Sequence, residues 1–160
     1  MAEKRIKNEL DNDYILVGIA SSMKEYRLCH FMNLLLGCDF KKLDDLVFES
    51  RNRGQNVQFS VFKAGEDEVD RNQFVIFTNK YLGQHLLTEV SNFDYILQIW
   101  GKYSDEELHV LMDSIKLFPQ TVMTAEVPLK KVKTRERLVY HEEKPAAKLL
   151  TTKRLQLNRQ

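Results

Sequence analysis

With two cysteines, six glycines, one tryptophan and no apolar run of membrane-spanning length, this chain of 160 residues has few specialised options. Cys29 and Cys38 lie nine residues apart, and the opening stretch from Met1 to Leu10 is charged, with no apolar leader. A structural disulfide is therefore not expected, and both thiols are read as small apolar side chains. The glycines are scattered and form neither a phosphate loop nor a dinucleotide fingerprint. His30, His85, His109 and His141 make no ligand set with the cysteines at metal spacing, so neither a metal nor a cofactor is expected. No internal repeat of fixed period is visible. These absences favour a cytoplasmic chain without membrane insertion.

What is present is ordinary in amount and uneven in arrangement. A hydrophobic share of 43% and a charged share of 29% suit a globular protein with a sizeable core. The net charge of +1 conceals a split. From residue 129 onward there are ten Lys and Arg against three acids, net +7, whereas the preceding residues carry 14 against 20, net −6. The chain is accordingly divided into one α+β domain, 1–128, and a basic C-terminal tail, 129–160. In the tail, Leu149, Leu150, Leu155 and Leu157 allow part of a short helix, but Lys and Thr interrupt the stripe and a flexible, solvated tail is expected.

Patterning sets the expected elements. Tyr14 to Ala20 is apolar on both alternations, as in a strand covered on both faces. Ser22 and Glu25 have capping-box spacing before a helix over Met23–Leu36, with an apolar stripe at Leu28, Phe31, Met32 and Leu35 and a stop at Gly37. Leu46–Phe48 reads as a short strand after a charged connection. Val57, Phe59 and Val61 alternate with polar residues, and Gln73–Thr78 returns to close a hairpin. Phe93, Tyr95, Leu97 and Ile99 share one strand face, with Asp94, Ile96, Gln98 and Trp100 on the other. Ser104 and Glu107 form a second capping box before a stripe of Leu108, Leu111, Met112, Ile115 and Phe118, ended by Pro119. Val122, Met123 and Ala125 suggest a last strand. The fold predicted is an antiparallel sheet of about five strands with two helices on one face, ferredoxin-like with an added strand.

The stretch Leu87-Thr88-Glu89-Val90-Ser91-Asn92-Phe93-Asp94-Tyr95 resembles the namesake signature of the bacterial IPExxxVDY family. Glu89, Asp94 and Tyr95 match; Leu87 and Phe93 stand for isoleucine and valine, and Thr88 replaces the proline. Tyr26-Arg27-Leu28-Cys29, Asn33, Asp44-Asp45-Leu46 and residues 104–138 are similar to further parts of the family pattern, so the resemblance covers roughly residues 13–138. It implies a shared fold and brings no assigned activity.

The candidate residues carry paired readings. Tyr26, His30 and Asn33 are spaced i, i+4, i+7 opposite the apolar stripe, with Arg27 on the flank, giving either a recognition face or a plain solvated surface. Arg27 is also able to pair with Asp44 or Asp45. Cys29 and His30 are adjacent but point ~100° apart on a helix, which argues against a nucleophile and base. Glu89 and Asp94 read as acid–base carboxylates, as cation holders with Asp44 and Asp45, or as anchors for a turn and a strand start, and the enzyme reading has them converge in a cleft with Arg27 and Asp44. Tyr95 reads as a core residue with its hydroxyl near the edge. In the tail, Lys130, Lys131, Lys133, Arg135, Arg137, Lys153 and Arg154 have the charge to meet an anionic protein or RNA, or to dock on the acidic body. The tail's lone aromatic, Tyr140, supplies no stacking platform for single strands. A non-enzymatic binding or regulatory module is the leading reading. A small enzyme or ligand-binding domain, and non-specific nucleic-acid binding through the tail, are the alternatives.

Overall fold

The computed structural model describes residues 14–49, 55–65 and 72–138. Its strands are β1 (Tyr14–Ser21), β2 (Lys41–Glu49), β3 (Asn56–Ala64), β4 (Gln73–Thr78), β5 (Lys80–Tyr81), β6 (Gln84–His85), β7 (Tyr95–Trp100) and β8 (Thr121–Val127). Its two long helices are α1 (Glu25–Leu36) and α2 (Asp105–Lys116). Six strands form one antiparallel sheet in the order β2-β3-β4-β7-β1-β8, and β5 and β6 make a separate small hairpin. Taken alone, β1, α1, β2, β7, α2 and β8 have ferredoxin-like connectivity. The strands β3 and β4 are inserted between β2 and β7, so the sheet gains two strands.

Alternation along the central strands divides the core between two faces. Val17, Ile19, Ile76, Leu97 and Ile99 pack against Leu28, Met32, Leu108, Leu111 and Ile115 of the two helices. Leu16, Phe59, Val61, Phe77 and Ile96 point the other way, where Leu86, Leu87, Phe93, Val132 and Leu138 cover them. That cover comes from irregular chain, residues 79–94 and 128–138. The expected boundary after Pro128 is therefore displaced. Val132 and Leu138 are fully buried, because among the described residues neither long helix shields this face of the sheet and the chain beyond β8 crosses it as a strap. Residues 139–160, including Lys153, Arg154 and the proposed leucine helix, lie outside the described residues.

Local signals held unequally. α2 begins with a complete capping box: the Glu107 N–H donates to Ser104 Oγ (3.0 Å) and the Ser104 N–H to Glu107 Oε1 (2.8 Å). α1 has none. Ser22 is instead tied to a residue far along the chain, its N–H donating to the Gln120 carbonyl (3.1 Å) and its hydroxyl accepting from Gln120 Nε2 (3.3 Å). The helix consequently starts after Lys24, and its buried stripe is Leu28, Cys29 and Met32, leaving Leu35 partly exposed. It stops at Gly37, which adopts the left-handed conformation (φ 66°). The charged run expected to connect α1 to a short strand is itself strand: β2 is nine residues long, with a bulge between Leu43 and Leu46. Phe93 does not share the face of Tyr95. Asp94 bends the chain ahead of β7, and the Phe93 ring lies on the opposite side of the sheet over Gly18, where any Cβ would stand 2.3 Å from it.

Candidate functional site

The signature-like segment lies between β4 and β7 on the strap side of the sheet. Its centre is a residue that sequence reading passed over, Asn79, which is fully buried just after β4. Asn79 Oδ1 accepts from the Leu87 N–H (2.8 Å), and Nδ2 donates to the carbonyls of Val90 (3.1 Å) and Phe93 (2.9 Å). Its main chain donates to the Asp94 carbonyl (2.8 Å) and accepts from the Leu86 N–H (3.0 Å). Buried irregular backbone needs such partners because no ladder supplies them. The available signal was a polar residue following an apolar strand and preceding Leu86-Leu87.

The three signature matches each hold a different part of the fold. Asp94 joins β7 to the end of β1: its N–H donates to the Ile19 carbonyl (2.9 Å) and its Oδ2 accepts from the Ser21 N–H (2.7 Å). Its Oδ1 pairs with Lys80 Nζ at 2.8 Å. Tyr95 is buried on the helix side, and its hydroxyl donates to the Met23 carbonyl in the passage from β1 to α1. Burial, reinforced by Glu25, Asp94 and Cys29, pushes its phenol well above the ordinary tyrosine value. Glu89 sits in a short 3-10 turn, Thr88–Val90, and latches the strap. Its Oε1 accepts from Thr134 Oγ1 (2.7 Å) and its Oε2 from the Lys133 N–H (3.0 Å). Burial alone would raise the Glu89 carboxyl. The hydrogen bonds from Thr134 and from main-chain N–H groups outweigh it and hold the carboxyl below its ordinary value.

The strap's own cations divide into two kinds. Arg137 donates from Nη1 to the carbonyls of Leu86 (2.6 Å) and His85 (3.3 Å), and its guanidinium lies 4.9 Å from the centre of the Phe48 ring. Arg135 donates to the Leu129 carbonyl at 2.5 Å. These two arginines close the strap on itself and on the sheet. Lys130, Lys131 and Lys133 are exposed.

On the outer side of α1, Tyr26 and His30 are exposed, with Leu34 completing the row at i+8; Tyr26 is 68% and Leu34 70% accessible. Asn33 is not part of that face. It turns toward β2, where its Oδ1 accepts from the Phe40 N–H (2.8 Å), and its carbonyl accepts from Gly37 and Cys38. Arg27 meets neither Asp44 nor Asp45. Its Nη1 reaches Gln120 Oε1 (3.4 Å) and its guanidinium lies 5.5 Å from the Phe31 ring centre. Asp45 pairs with Lys42 at 2.5 Å, and Asp44 is exposed in the bulged part of β2.

The chemistry open to this arrangement follows from those positions. Arg27 lies on the helix side and Glu89 on the strap side, so the set Arg27, Asp44, Glu89 and Asp94 does not converge in a cleft. Cys29 is buried while His30 is exposed with its ring against Phe31. Burial, with Glu25 and Cys38 adding, pushes the Cys29 thiol up to about 12, and burial, with Asp39 adding, pushes Cys38 up to about 11. Both thiols are therefore protonated near neutrality and poor nucleophiles. Among the described residues, no three His, Cys, Asp or Glu side chains gather closely enough to hold a metal ion. No helix among them is long and apolar enough to cross a membrane.

Comparison with known proteins adds no identity to this geometry: no protein-family model matches the chain, and no curated protein matches it either.

Proposed function

We propose that the chain is a non-catalytic binding module of the cytoplasm, of the IPExxxVDY type that its sequence resembles. One observation carries this reading. The polar side chains that would serve chemistry hold main chain instead: Asn33, Asn79, Glu89, Asp94, Tyr95 and Arg137 each bond backbone groups. The outer row of α1, with an aromatic, a titratable and an aliphatic side chain at Tyr26, His30 and Leu34, is left as surface. Mixed apolar and polar exposure of this kind suits recognition better than turnover. Lys130, Lys131 and Lys133 add positive charge on the strap, suited to an anionic protein or RNA contacted without sequence readout.

The test is crosslinked capture from extract of the source cells, comparing the full chain with Tyr26→Ala/Leu34→Ala and with Lys130→Ala/Lys131→Ala/Lys133→Ala. The first variant is expected to lose its partner while keeping its melting temperature. The second is expected to retain the partner at low salt and release it sooner as salt rises. Capture undiminished in the α1 variant rejects that surface, and identical salt curves reject the role of the lysines. RNA recovered in place of protein would decide the class of partner.

A further inference from the structure

The two edges of the six-stranded sheet are defended unequally. The β2 edge carries Lys41, Lys42, Asp44 and Asp45 and is bent by the bulge between Leu43 and Leu46. Charges and bulges of this kind deter the addition of another strand. β8, the opposite edge, pairs only with β1 among the described residues. It contains a single charged residue, Glu126, and exposes Val122, at 75%, and Met123. Its irregularity is confined to the first residues, opposite Ala20 and Ser21. From Met123 to Val127 the register with β1 is unbroken. The outer main-chain groups of that stretch form a regular row able to receive a strand.

A bare edge does not choose its occupant, but the charges beside this one are arranged for a particular partner. α2 lies over β8, where Thr124 Oγ1 donates to the Met112 carbonyl at 3.1 Å. Glu126 pairs in register with Val17, a helix-side core residue, so Glu126 belongs to the same side of the sheet as α2. Lys116 is one turn beyond Met112 on that side of the helix, close to where the chain turns through 117–120 into β8. Both Lys116 and Glu126 are exposed, the cation near the start of β8 and the anion near its end. Laying a second β8 antiparallel along the first, about a two-fold axis through Thr124, sets residue 126 of each copy opposite residue 122 of the other. Each Glu126 then comes beside the Lys116 of the opposing copy, and symmetry makes the contact twice. Val122, otherwise in solvent, is covered by the same approach.

We propose that β8 is a self-association edge, joining two copies of this chain into one continuous sheet with paired Lys116–Glu126 contacts across the axis. Sedimentation equilibrium on the full chain, from about 1 to about 100 µM, is expected to show a monomer–dimer equilibrium in the range typical of modest interfaces. Lys116→Glu and Glu126→Lys each turn two attractive contacts into two repulsive ones, and each is expected to weaken the dimer about tenfold. The combined variant Lys116→Glu/Glu126→Lys restores opposite charges and is expected to return dissociation to near the original value. Both positions are exposed, so circular dichroism should not change. A chain that remains monomeric throughout overturns the proposal, whether the edge is bare, covered by other residues of the same chain or reserved for a foreign strand. A dimer indifferent to both single changes, or not rescued by the double change, overturns it equally.

Discussion

The two faces of one sheet are covered by opposite means. On the helix side, cover comes from Leu28, Met32, Leu108, Leu111 and Ile115, delivered by helices whose backbone is already hydrogen-bonded internally. On the strap side, cover comes from Leu86, Leu87, Phe93, Val132 and Leu138, on chain with little regular structure. A helix brings its apolar residues to the core without exposing unpaired peptide groups, whereas an irregular segment carries such groups with it. The strap side meets that demand with side chains: Asn79 for 87–93, Glu89 for 133–134, and Arg137 for 85–86. The comparison changes how a motif rich in Glu, Asp and Asn is to be understood. Polar residues in an irregular but buried region are needed for folding before any question of chemistry arises.

The strongest challenge to that contrast is Asn79→Ala. It leaves the Leu87 N–H and the Val90 and Phe93 carbonyls without the partner they now have. At roughly 1–3 kcal/mol for each buried group left unsatisfied, with water recovering part of the loss, the variant should be destabilised by about 4 kcal/mol in urea titration. Met32→Ala, on the helix side, should cost about 3 kcal/mol through a cavity instead. The contrast fails if Asn79→Ala costs less than about 1 kcal/mol, because packing alone would then hold the loops.

Next in size is Gly18→Ala, which drives a methyl into the Phe93 ring and should cost about 2 kcal/mol by overpacking. In a thermal melt series the double variant Gly18→Ala/Phe93→Ala should lose less stability than the two single losses combined, since the clash vanishes with the ring. Strict additivity would mean that Phe93 does not press on β1. Tyr95→Phe is smaller again. It removes the donor to the buried Met23 carbonyl and little volume, for an expected loss of about 1.5 kcal/mol in urea titration. No measurable loss would show that water replaces the hydroxyl at the start of α1.

The same contrast explains what was legible in the sequence. The helix side announced itself through period: the Ser104–Glu107 box, the stripe Leu108, Leu111 and Ile115 and the stop at Gly37 all depend on neighbours within a few residues. An α+β fold with two helices over an antiparallel sheet followed from those signals. The strap side depends on partners far along the chain. Nothing near Val132 or Leu138 marks them as core, and Glu89 meets Thr134 across 45 positions. Ser22 and Glu25 have the spacing of a box, yet Gln120, 98 residues away, takes the serine. Charge composition misled in the same way. Residues 129–138 share their basic character with the following stretch, but Arg135 and Arg137 use it on nearby carbonyls. The exposed row of α1 was half legible: Tyr26 and Leu34 have equivalent exposure, but only the polar spacing drew notice, and Asn33 was grouped with a surface it does not share.

The smallest effect tests the latch itself through its proton. The bonds from Thr134 and Lys133 hold the Glu89 carboxyl lower in the folded protein than in the unfolded chain. Above the ordinary glutamate range both states are ionised, and the contribution to stability is fully present. As the pH falls through that range the unfolded chain binds the proton first, so stability declines until the folded carboxyl is protonated as well. Glu89 is exposed, and solvent screening should keep the effect below about 1 kcal/mol. Glu89→Gln retains an acceptor for Thr134 and removes the linked proton, so its urea midpoint should fall less steeply than that of the parent between about pH 6 and pH 3. Hydrogen exchange under the same conditions locates the difference. Protection should fall in 128–138 ahead of α1 and α2, because the latch holds the strap and not the helices. If the helices lose protection together with the strap, the two sides of the sheet unfold as one unit, and the division drawn between them describes their chemistry without dividing their stability.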